Sequence, residues 1–231
     1  MSSDWWLDEM AHAGPEHLDP EFVAGYDRKQ AMDFGPEVEL LRARGLTSQS
    51  TVVDLAAGSG GLTLAVAPHC KRVVAVDISP AMTALIRRQS LAQGAENIEV
   101  VESGLLTYEH EGSRPDFVYC RNALHQLPDF WKVTALDRIA AMLPAGGALR
   151  LVDLVFDAEP ADLGDVVAAW LEGAAVDAVA GYTRADFAVH LRTEFSTFRW
   201  LLEPMLSRAG FEIVEAEYRR RVYGSYVCVR V

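Results

Sequence analysis

One stretch, residues 51–67 (TVVDLAAGSGGLTLAVA), limits the fold of this chain more than any other. The apolar residues Val52, Val53 and Leu55 lead into a cluster of small residues, and a helical spacing of apolar residues begins at Leu62. Glycines in such a turn let the backbone approach a ligand closely, and the free N–H groups of a helix start attract electron-rich groups. The stretch therefore predicts a strand, a ligand-binding turn and a helix.

The residue types of this turn separate two kinds of ligand. A dinucleotide-binding fingerprint carries three glycines spaced G-x-G-x-x-G, whereas here Gly58 and Gly60 are followed by Thr63. The strand also carries Asp54, a carboxylate that would repel a pyrophosphate and suit a positively charged ligand. S-adenosylmethionine (SAM) has an ammonium, a sulfonium and no phosphate, so the turn favours SAM over a dinucleotide.

The composition fits one globular domain that spans residues 1–231. Half of the residues are hydrophobic and 23% are charged, which is enough to bury a full core. No apolar run approaches the length of a membrane span, and the start MSSDWWLDEM lacks the basic and apolar regions of a signal peptide. We therefore expect a cytoplasmic protein that does not enter a membrane.

Cysteine and histidine spacing predicts neither disulfides nor a metal site. The three cysteines, Cys70, Cys120 and Cys228, are scattered, so we expect buried free thiols. The chain has no His-x-x-x-His motif and no closely paired cysteines. The histidines that we expect to be solvated are His12, His17, His69 and His110.

The charge of the chain argues against nucleic acid as a partner. The net charge is −12 and only three residues are lysine, so most of the surface would repel a phosphate backbone. A small molecule is the favoured substrate. The adjacent Trp5 and Trp6 cannot face the same direction, which leaves open whether they pack over the core or make a homodimer contact.

Strands alternate with helices after the glycine turn. Ser79 and Pro80 mark the start of one helix and Gly94 marks its end. Alternation at this spacing implies a mostly parallel sheet with helices on both faces. The further strands are predicted at residues 72–76, 98–101, 116–120 and 148–153.

The tail of the chain departs from this alternation. Two helices are predicted, around residues 166–179 and from Thr183, where Thr183 and Asp186 resemble a capping box. After one more helix, residues 212–218 and 222–229 read as antiparallel strands.

The complete prediction is an α/β fold with a doubly wound, Rossmann-like sheet of seven mostly parallel strands and an antiparallel last strand. Residues 1–35 would form an N-terminal cap, and residues 157–195 a helical lid inserted after the fifth strand.

These motifs resemble those of class I SAM-dependent methyltransferases, nearest the small-molecule branch typified by ubiquinone and menaquinone biosynthesis methyltransferases. The resemblance covers about residues 36–155. In that family the first strand ends in an acidic-x-Gly-x-Gly-x-Gly signature, and here Asp54, Ala56, Gly58 and Gly60 occupy it, with alanine replacing the first glycine. The resemblance implies direct SN2 transfer of a methyl group from SAM to an O, N or C nucleophile, with S-adenosylhomocysteine (SAH) as the product.

The same resemblance implies a set of cofactor contacts. Asp54 would lie near the ammonium of SAM, and Asp77 would accept hydrogen bonds from the ribose hydroxyls. Ser103 takes the place of an aspartate that often binds the adenine amino group in the family. The implied cofactor residues are Asp54, Ala56, Gly58, Ser59, Gly60, Asp77, Ile78, Ser103, Gly104, Leu105, Arg121 and Asn122.

Two residues are candidates for catalysis. A base is needed only where the acceptor must lose a proton, because the sulfonium is already an activated electrophile. His125 follows the fourth strand and titrates near neutrality when unperturbed, so it would act as a base or shape the pocket. Tyr26, in a Tyr26-Asp27 pair similar to one in the family, would bind the SAM carboxylate, polarise the acceptor or pack at the surface. Asp153 would bind a polar acceptor or cap the lid.

Two other functions stay open at this point. An NAD-dependent oxidoreductase would also place an acid at Asp77, although Asp54 and Thr63 oppose it. A non-catalytic SAM-binding or interaction module would share the same turn and use the lid to bind a protein. The identity of the methyl acceptor is not encoded in any motif of the lid.

Overall fold

The computed structural model describes residues 4–14, 32–177 and 181–231. Tyr26, Asp27 and His17 lie outside the described residues, so the predictions for them stay predictions. The described helices are α1 (Gly35–Ala43), α2 (Gly61–Val66), α3 (Pro80–Gln93), α4 (Asp129–Met142), α5 (Leu163–Glu172), α6 (Arg184–Thr193) and α7 (Arg199–Arg208). The described strands are β1 (Thr51–Leu55), β2 (Arg72–Asp77), β3 (Ile98–Glu102), β4 (Phe117–Arg121), β5 (Ala148–Phe156), β6 (Thr197–Phe198), β7 (Phe211–Arg219) and β8 (Tyr223–Arg230).

The strands form one sheet in the order β3-β2-β1-β4-β5-β8-β7, and the short β6 adds to β5. Strands β1 to β5 pair in parallel, and β8 runs antiparallel to both β5 and β7. The predicted doubly wound, mostly parallel sheet with an antiparallel last strand is confirmed, and the short β6 adds one strand to the seven that were predicted. The chain order reverses between β1 and β4, and the carboxyl ends of strands at such a reversal border a ligand crevice.

Local signals set the boundaries of several elements. The Ser79 side chain accepts a hydrogen bond from the Met82 N–H at 3.2 Å and begins α3, and Gly94 ends that helix with φ +65°. Thr183 and Asp186 form the predicted capping box at the start of α6. The sequence predicts these helix caps because the residues of each cap lie within a few positions of one another.

The predicted lid contains a small core of its own. Trp170 is buried, its indole N–H donates to the Tyr223 hydroxyl at 2.9 Å, and its ring stacks on Phe187 at 4.3 Å. The helix predicted over residues 166–179 is shorter than expected, since α5 ends at Glu172, where Gly173 caps it. The packing of Trp170 joins α5 and α6 to β8.

The tryptophan pair and the cysteines both contribute to the core. Trp6 packs against the main core and contacts Trp131 edge to face at 5.0 Å, while Trp5 stacks on the same ring and stays 63% exposed. All three cysteines are buried and free, as predicted. No helix among the described residues is long and apolar enough to cross a membrane.

Candidate active site

A cleft of about 1140 Å³, its open mouth included, lies at the carboxyl ends of β1, β2 and β4. Every predicted cofactor residue except Gly60 lines it. Gly60 packs against Ile86, where an added Cβ would be 2.9 Å from Ile86 Cγ1. The structure therefore brings the residues of four separated sequence segments into one cleft.

The glycine turn reaches the cleft through left-handed backbone conformations. Gly58 and Gly60 have φ values of +56° and +84°, and Gly60 immediately precedes α2. Ala56, which stands where the family has its first glycine, has φ +56°. A residue with a Cβ pays about 1–2 kcal/mol for this conformation. Ala56 therefore keeps the left-handed conformation of the turn, at the cost of backbone strain.

Asp54 is a buried carboxylate in the cleft wall. Its Oδ2 accepts a hydrogen bond from the Thr63 hydroxyl at 2.6 Å, so the residue that breaks the dinucleotide fingerprint also orients the acid. Burial raises the pKa of Asp54 to about 7, with the Thr63 hydrogen bond opposing the shift and the Asp77 carboxylate adding to it. The described contacts of Asp54 are to a neutral donor, which leaves the carboxylate able to gain a cationic partner.

Asp77 links the end of β2 to the glycine turn. Its Oδ2 accepts from the Gly58 N–H and its Oδ1 from the Ser79 N–H, both at 2.8 Å. Burial raises the pKa of Asp77 to about 6 against these two hydrogen bonds. Both hydrogen-bond donors are neutral backbone groups, so the cleft holds two acids with raised pKa values.

Strand β4 supplies polar groups to the opposite wall. The Tyr119 hydroxyl is buried and has no hydrogen-bond partner of normal geometry among the described residues. Burial raises the pKa of Tyr119, and the nearby Arg121 opposes the shift. Tyr119 and Arg121 both line the cleft. A donor hydroxyl and a guanidinium there complement a ligand that carries a carboxylate.

The described parts of the N-terminal segment close one side of the cleft. Both oxygens of Glu9 accept from the Leu106 N–H at 3.0 Å, and an added Cβ on Gly104 would meet Glu9 Oε2 at 2.3 Å. The Phe34 ring fits against Gly61, where an added Cβ would lie 2.3 Å from the ring. Glycine at positions 104 and 61 therefore provides the space that these two side chains occupy.

Sequence reasoning did not identify these N-terminal contacts. Glu9 is one of many acids near the start of the chain, and its partner Leu106 is far away in sequence. Tyr119 lies inside an apolar strand pattern that predicts core packing. The cleft residues that the sequence did not predict include Glu9, His12, Ala13, Met32, Phe34, Tyr119, Gln126 and Leu127.

His125 does not line the cleft. It is buried in the turn after β4, with Nδ1 2.5 Å from Asp153 Oδ1 and Nε2 3.0 Å from Glu194 Oε2. Burial alone would lower the pKa of His125, but the Asp153 and Glu194 carboxylates outweigh it and raise the pKa to about 9. At neutral pH the ring is an imidazolium that donates from both nitrogens. This geometry gives it no nitrogen with which to accept a proton from a substrate.

His125 belongs to a group of four side chains, Asp153, His125, Glu194 and His190, which we call the His125 cluster. Asp153 Oδ2 also accepts from the N–H groups of Ala123, Leu124 and His125, the shortest at 2.7 Å. His190 Nδ1 lies 2.7 Å from the same Glu194 oxygen that faces His125. Asp153 therefore neither caps the lid nor faces the cleft, and it secures the turn after β4.

The acids of the cluster have pKa values shifted in the opposite direction from those in the cleft. Burial would raise the pKa of Asp153, but His125 and the backbone donors outweigh it and lower the value. Burial would likewise raise the pKa of Glu194, but His125 and His190 lower it to about 2. Both acids are ionised and already paired.

Backbone contacts fasten the end of the predicted lid beside this cluster. The Phe195 N–H donates to the His125 carbonyl at 2.7 Å. The buried Lys132 donates to the Phe195 carbonyl and to Asp129 Oδ1. None of the described residues in the range 157–195 lines the cofactor cleft, so this segment lies beside the cleft, against the turn after β4.

Comparison with known proteins supports the interpretation of the cleft. Residues 52–147 match the family described as methyltransferase domain. An uncharacterized methyltransferase of Exiguobacterium sibiricum is 26% identical over 201 residues, which are 87% of this chain and 87% of that protein. These matches cover the glycine turn and four of the strand ends that form the cleft.

Solved structures share the fold. A SAM dependent methyltransferase from Aquifex aeolicus aligns with a TM-score of 0.63 and 16% identity, over 92% of this chain and 99% of that one. Magnesium protoporphyrin IX methyltransferase from Synechocystis, solved with bound SAH, aligns with a TM-score of 0.61 and 16% identity, over 100% and 90% of the two chains. The resemblance to the ubiquinone and menaquinone branch stays a prediction. The domain match over residues 52–147, the strand order and the glycine turn agree with the class I SAM-dependent methyltransferase fold that the sequence motifs predict.

Proposed function

We propose that this methyltransferase binds SAM in the cleft and transfers its methyl group to an O, N or C nucleophile of a small molecule, releasing SAH. The observation that carries the proposal is the pair Asp54 and Asp77, two buried acids that line the cleft and have only neutral hydrogen-bond donors in the described structure. A ligand with a positive charge stabilises such acids, and a pyrophosphate would be repelled by them.

The groups around the cleft fit the functional groups of SAM. Asp54 would pair with the ammonium, and Asp77 would accept hydrogen bonds from ribose hydroxyls. The Tyr119 hydroxyl and the neighbouring Arg121 would bind the carboxylate. Ile78, Ser103 and the backbone of Gly104 and Leu105 would surround the adenine.

The contribution of the protein to the reaction is mainly positioning. When bound, SAM supplies a methyl group on a sulfonium, which a nucleophile can displace in line. Orienting two reactants in this way supplies a large part of the rate acceleration. The turn after β4 borders the cleft at Ala123, Gln126 and Leu127, and the His125 cluster holds that turn in place. We therefore assign His125 a positioning role and no proton transfer.

An acceptor that must lose a proton would need another base. His12 is the imidazole that lines the cleft among the described residues, and its ring contacts Phe195 at 5.8 Å. Tyr26 remains a second candidate from the sequence. An acceptor that is already nucleophilic at neutral pH would need neither residue.

The charge of the chain supports a small-molecule acceptor. With a net charge of −12, binding to DNA or RNA would lack the cationic surface that neutralises phosphates. An NAD-dependent reaction is disfavoured by Asp54, whereas an acid at Asp77 suits the ribose of either cofactor. A non-catalytic SAM-binding module shares the cleft and differs only in the absence of methyl transfer.

The first experiment is calorimetric titration of the purified full chain with SAH, with NADH as the matched control ligand. Asp77→Asn should weaken SAH binding by about 1–3 kcal/mol through loss of a charge-assisted hydrogen bond. Asp116→Asn is the control, because Asp116 accepts from the Thr51 N–H at the opposite end of the strands. It should leave SAH affinity unchanged.

Three outcomes separate the alternatives. Saturable SAH binding without NADH binding supports the proposal. Binding of NADH alone would contradict it and would favour an NAD-dependent oxidoreductase. SAH binding without SAH production from SAM, across a panel of small-molecule phenols, amines and carbon acids, would favour the non-catalytic module. Equal loss of SAH affinity in Asp77→Asn and Asp116→Asn would contradict the proposal that Asp77 binds the ribose hydroxyls.

A further inference from the structure

The His125 cluster lies outside the cofactor cleft and holds donor atoms suited to a metal ion. His125 Nε2 and His190 Nδ1 lie 3.0 Å and 2.7 Å from one atom, Glu194 Oε2. Ligand atoms of the three residues all lie within 4.8 Å of one another. We propose that His125, His190 and Glu194 form a zinc site that joins helix α6 to the turn after β4.

The donor set and its spacing fit zinc. Two imidazoles and one carboxylate form a known zinc ligand set that leaves a fourth position for water. Zinc–ligand bonds of about 2.0–2.2 Å place tetrahedral donors roughly 3.3–3.6 Å apart. Each histidine nitrogen therefore needs to move away from Glu194 Oε2 by less than about 1 Å to admit the ion. His190 and Glu194, four residues apart, bring two donors from the end of one helix.

The second nitrogen of each histidine is already held. His125 Nδ1 pairs with Asp153 Oδ1 at 2.5 Å, and His190 Nε2 lies 2.7 Å from Ser196 Oγ. Metal-binding histidines almost always use their second nitrogen in this way, which fixes the ring and the tautomer. The nitrogens that remain, His125 Nε2 and His190 Nδ1, are the two that face Glu194.

Charge and burial also suit a divalent cation. The carboxylates of Asp153 and Glu194 lie against the two imidazoles, and Zn²⁺ would replace the proton between His125 Nε2 and Glu194 Oε2. The side chains of His125 and His190 are 7% and 12% exposed, whereas Glu194 is 28% exposed. The site is therefore shielded, with Glu194 on the side from which an ion would enter.

The expected consequence of metal binding is local. Zinc would fix the end of α6 to the turn that borders the cofactor cleft at Ala123, Gln126 and Leu127. The site was not evident from sequence, because His125 is far from the His190 and Glu194 pair along the chain. The inference does not depend on the identity of the methyl acceptor.

The test is a titration of the full chain, without a histidine tag and after treatment with EDTA, using Co²⁺ as a spectroscopic substitute for Zn²⁺. We expect visible absorption bands of a four-coordinate Co²⁺ ion that saturate at one ion per chain and disappear when Zn²⁺ is added. Glu194→Gln and His190→Gln should each weaken Co²⁺ binding at least tenfold. Ser196→Ala should weaken it about tenfold, as removal of a ligand-orienting group does.

His69→Gln is the matched control, since His69 lies in the turn before β2, away from the cluster. It should bind Co²⁺ like the unaltered protein. The stoichiometry of the unaltered protein keeps the test decisive even if a variant does not fold. Absence of the bands at Co²⁺ concentrations up to roughly 1 mM, the Kd of a weak complex, would overturn the proposal. Equal Co²⁺ affinity in Glu194→Gln and His69→Gln would overturn it as well.

Discussion

Two pairs of acids near the carboxyl edge of the sheet differ in the sign of their pKa shifts. In the cleft, burial raises the pKa of Asp54 to about 7 and that of Asp77 to about 6. In the His125 cluster, the imidazoles overcome burial, lower the pKa of Asp153 and bring that of Glu194 to about 2. Carboxylates near one edge of the sheet are therefore held in two different electrostatic environments.

The difference lies in what each acid contacts. The cleft acids accept only from a hydroxyl and from backbone N–H groups, and these neutral donors do not outweigh the burial that opposes ionisation. The cluster acids already face imidazoles and are ionised in the free protein. We infer that acids without a cationic partner mark the ligand site here, and that acids with one mark a structural or metal-binding site.

Removing the imidazole from the cluster should have the largest effect. His125→Ala leaves Asp153 as a buried charge without its cationic partner, and such losses cost about 3–5 kcal/mol. Urea unfolding of EDTA-treated protein at pH 7 measures this loss. His110→Ala is the control, because His110 has two neutral hydrogen-bond partners, Tyr108 and Ser113. It should lose about 1 kcal/mol, and a similar loss in both variants would mean that the cluster is not a charged pair.

Neutralising a cleft acid should have the opposite effect on the free protein. The folded pKa of Asp54 lies above its ordinary value, so its ionisation costs stability that grows as the pH rises from about 4 to 7. Asp54→Asn removes this cost. Its stability relative to the unaltered protein should therefore improve by about 2.6 kcal/mol between pH 5 and pH 8.

Urea unfolding at the two pH values checks this prediction, and SAM titration checks its functional side. Asp54→Asn should bind SAM more weakly than the unaltered protein, and should lose less affinity for an analogue that lacks the ammonium. A stability difference that does not change with pH would show that Asp54 is ionised in the free protein.

The acidity of the cleft should also appear in ligand binding. SAH carries an ammonium that favours the ionised form of Asp54, so binding releases a proton wherever Asp54 is protonated in the free protein. With a free pKa of about 7, affinity should rise between pH 6 and pH 7.5 by roughly tenfold, or about 1.4 kcal/mol. Calorimetry in buffers of different ionisation enthalpy measures the released proton directly. Asp54→Asn should flatten the profile, and an equal slope in that variant would assign the proton to another group.

The sequence predicted those parts of the fold that depend on short-range signals. The glycine turn, the Ser79 start of α3 and the capping box at Thr183 each involve residues within a few positions of one another. The parallel sheet followed from the spacing of apolar runs. The resemblance to the methyltransferase family implied the cofactor residues, and these residues meet in the structure because the carboxyl ends of parallel strands share one edge of the sheet.

The sequence could not predict contacts that join distant segments. Glu9 fits against Gly104 and Leu106, and no local pattern distinguishes it from its acidic neighbours. His125 was predicted from its position after β4 as a base or as a residue that shapes the pocket. Its pairing with Asp153 and Glu194, which determines its charge, depends on the tertiary structure. The pKa of a buried group is set by such partners and not by its position in a motif.

The smallest expected effect tests the backbone of the cleft. Ala56 holds φ +56° with a Cβ, whereas glycine adopts that conformation without strain. Ala56→Gly should raise the free energy of unfolding by about 0.5–1 kcal/mol, the relief of strain minus the added entropy of the unfolded chain. Ala57→Gly should lower the free energy of unfolding by about 0.5–1 kcal/mol. Ala57 is not among the described residues with positive φ, so glycine there relieves no strain and only adds entropy to the unfolded chain. Opposite signs at two neighbouring alanines would locate the strain at the cleft turn, and equal signs would contradict it.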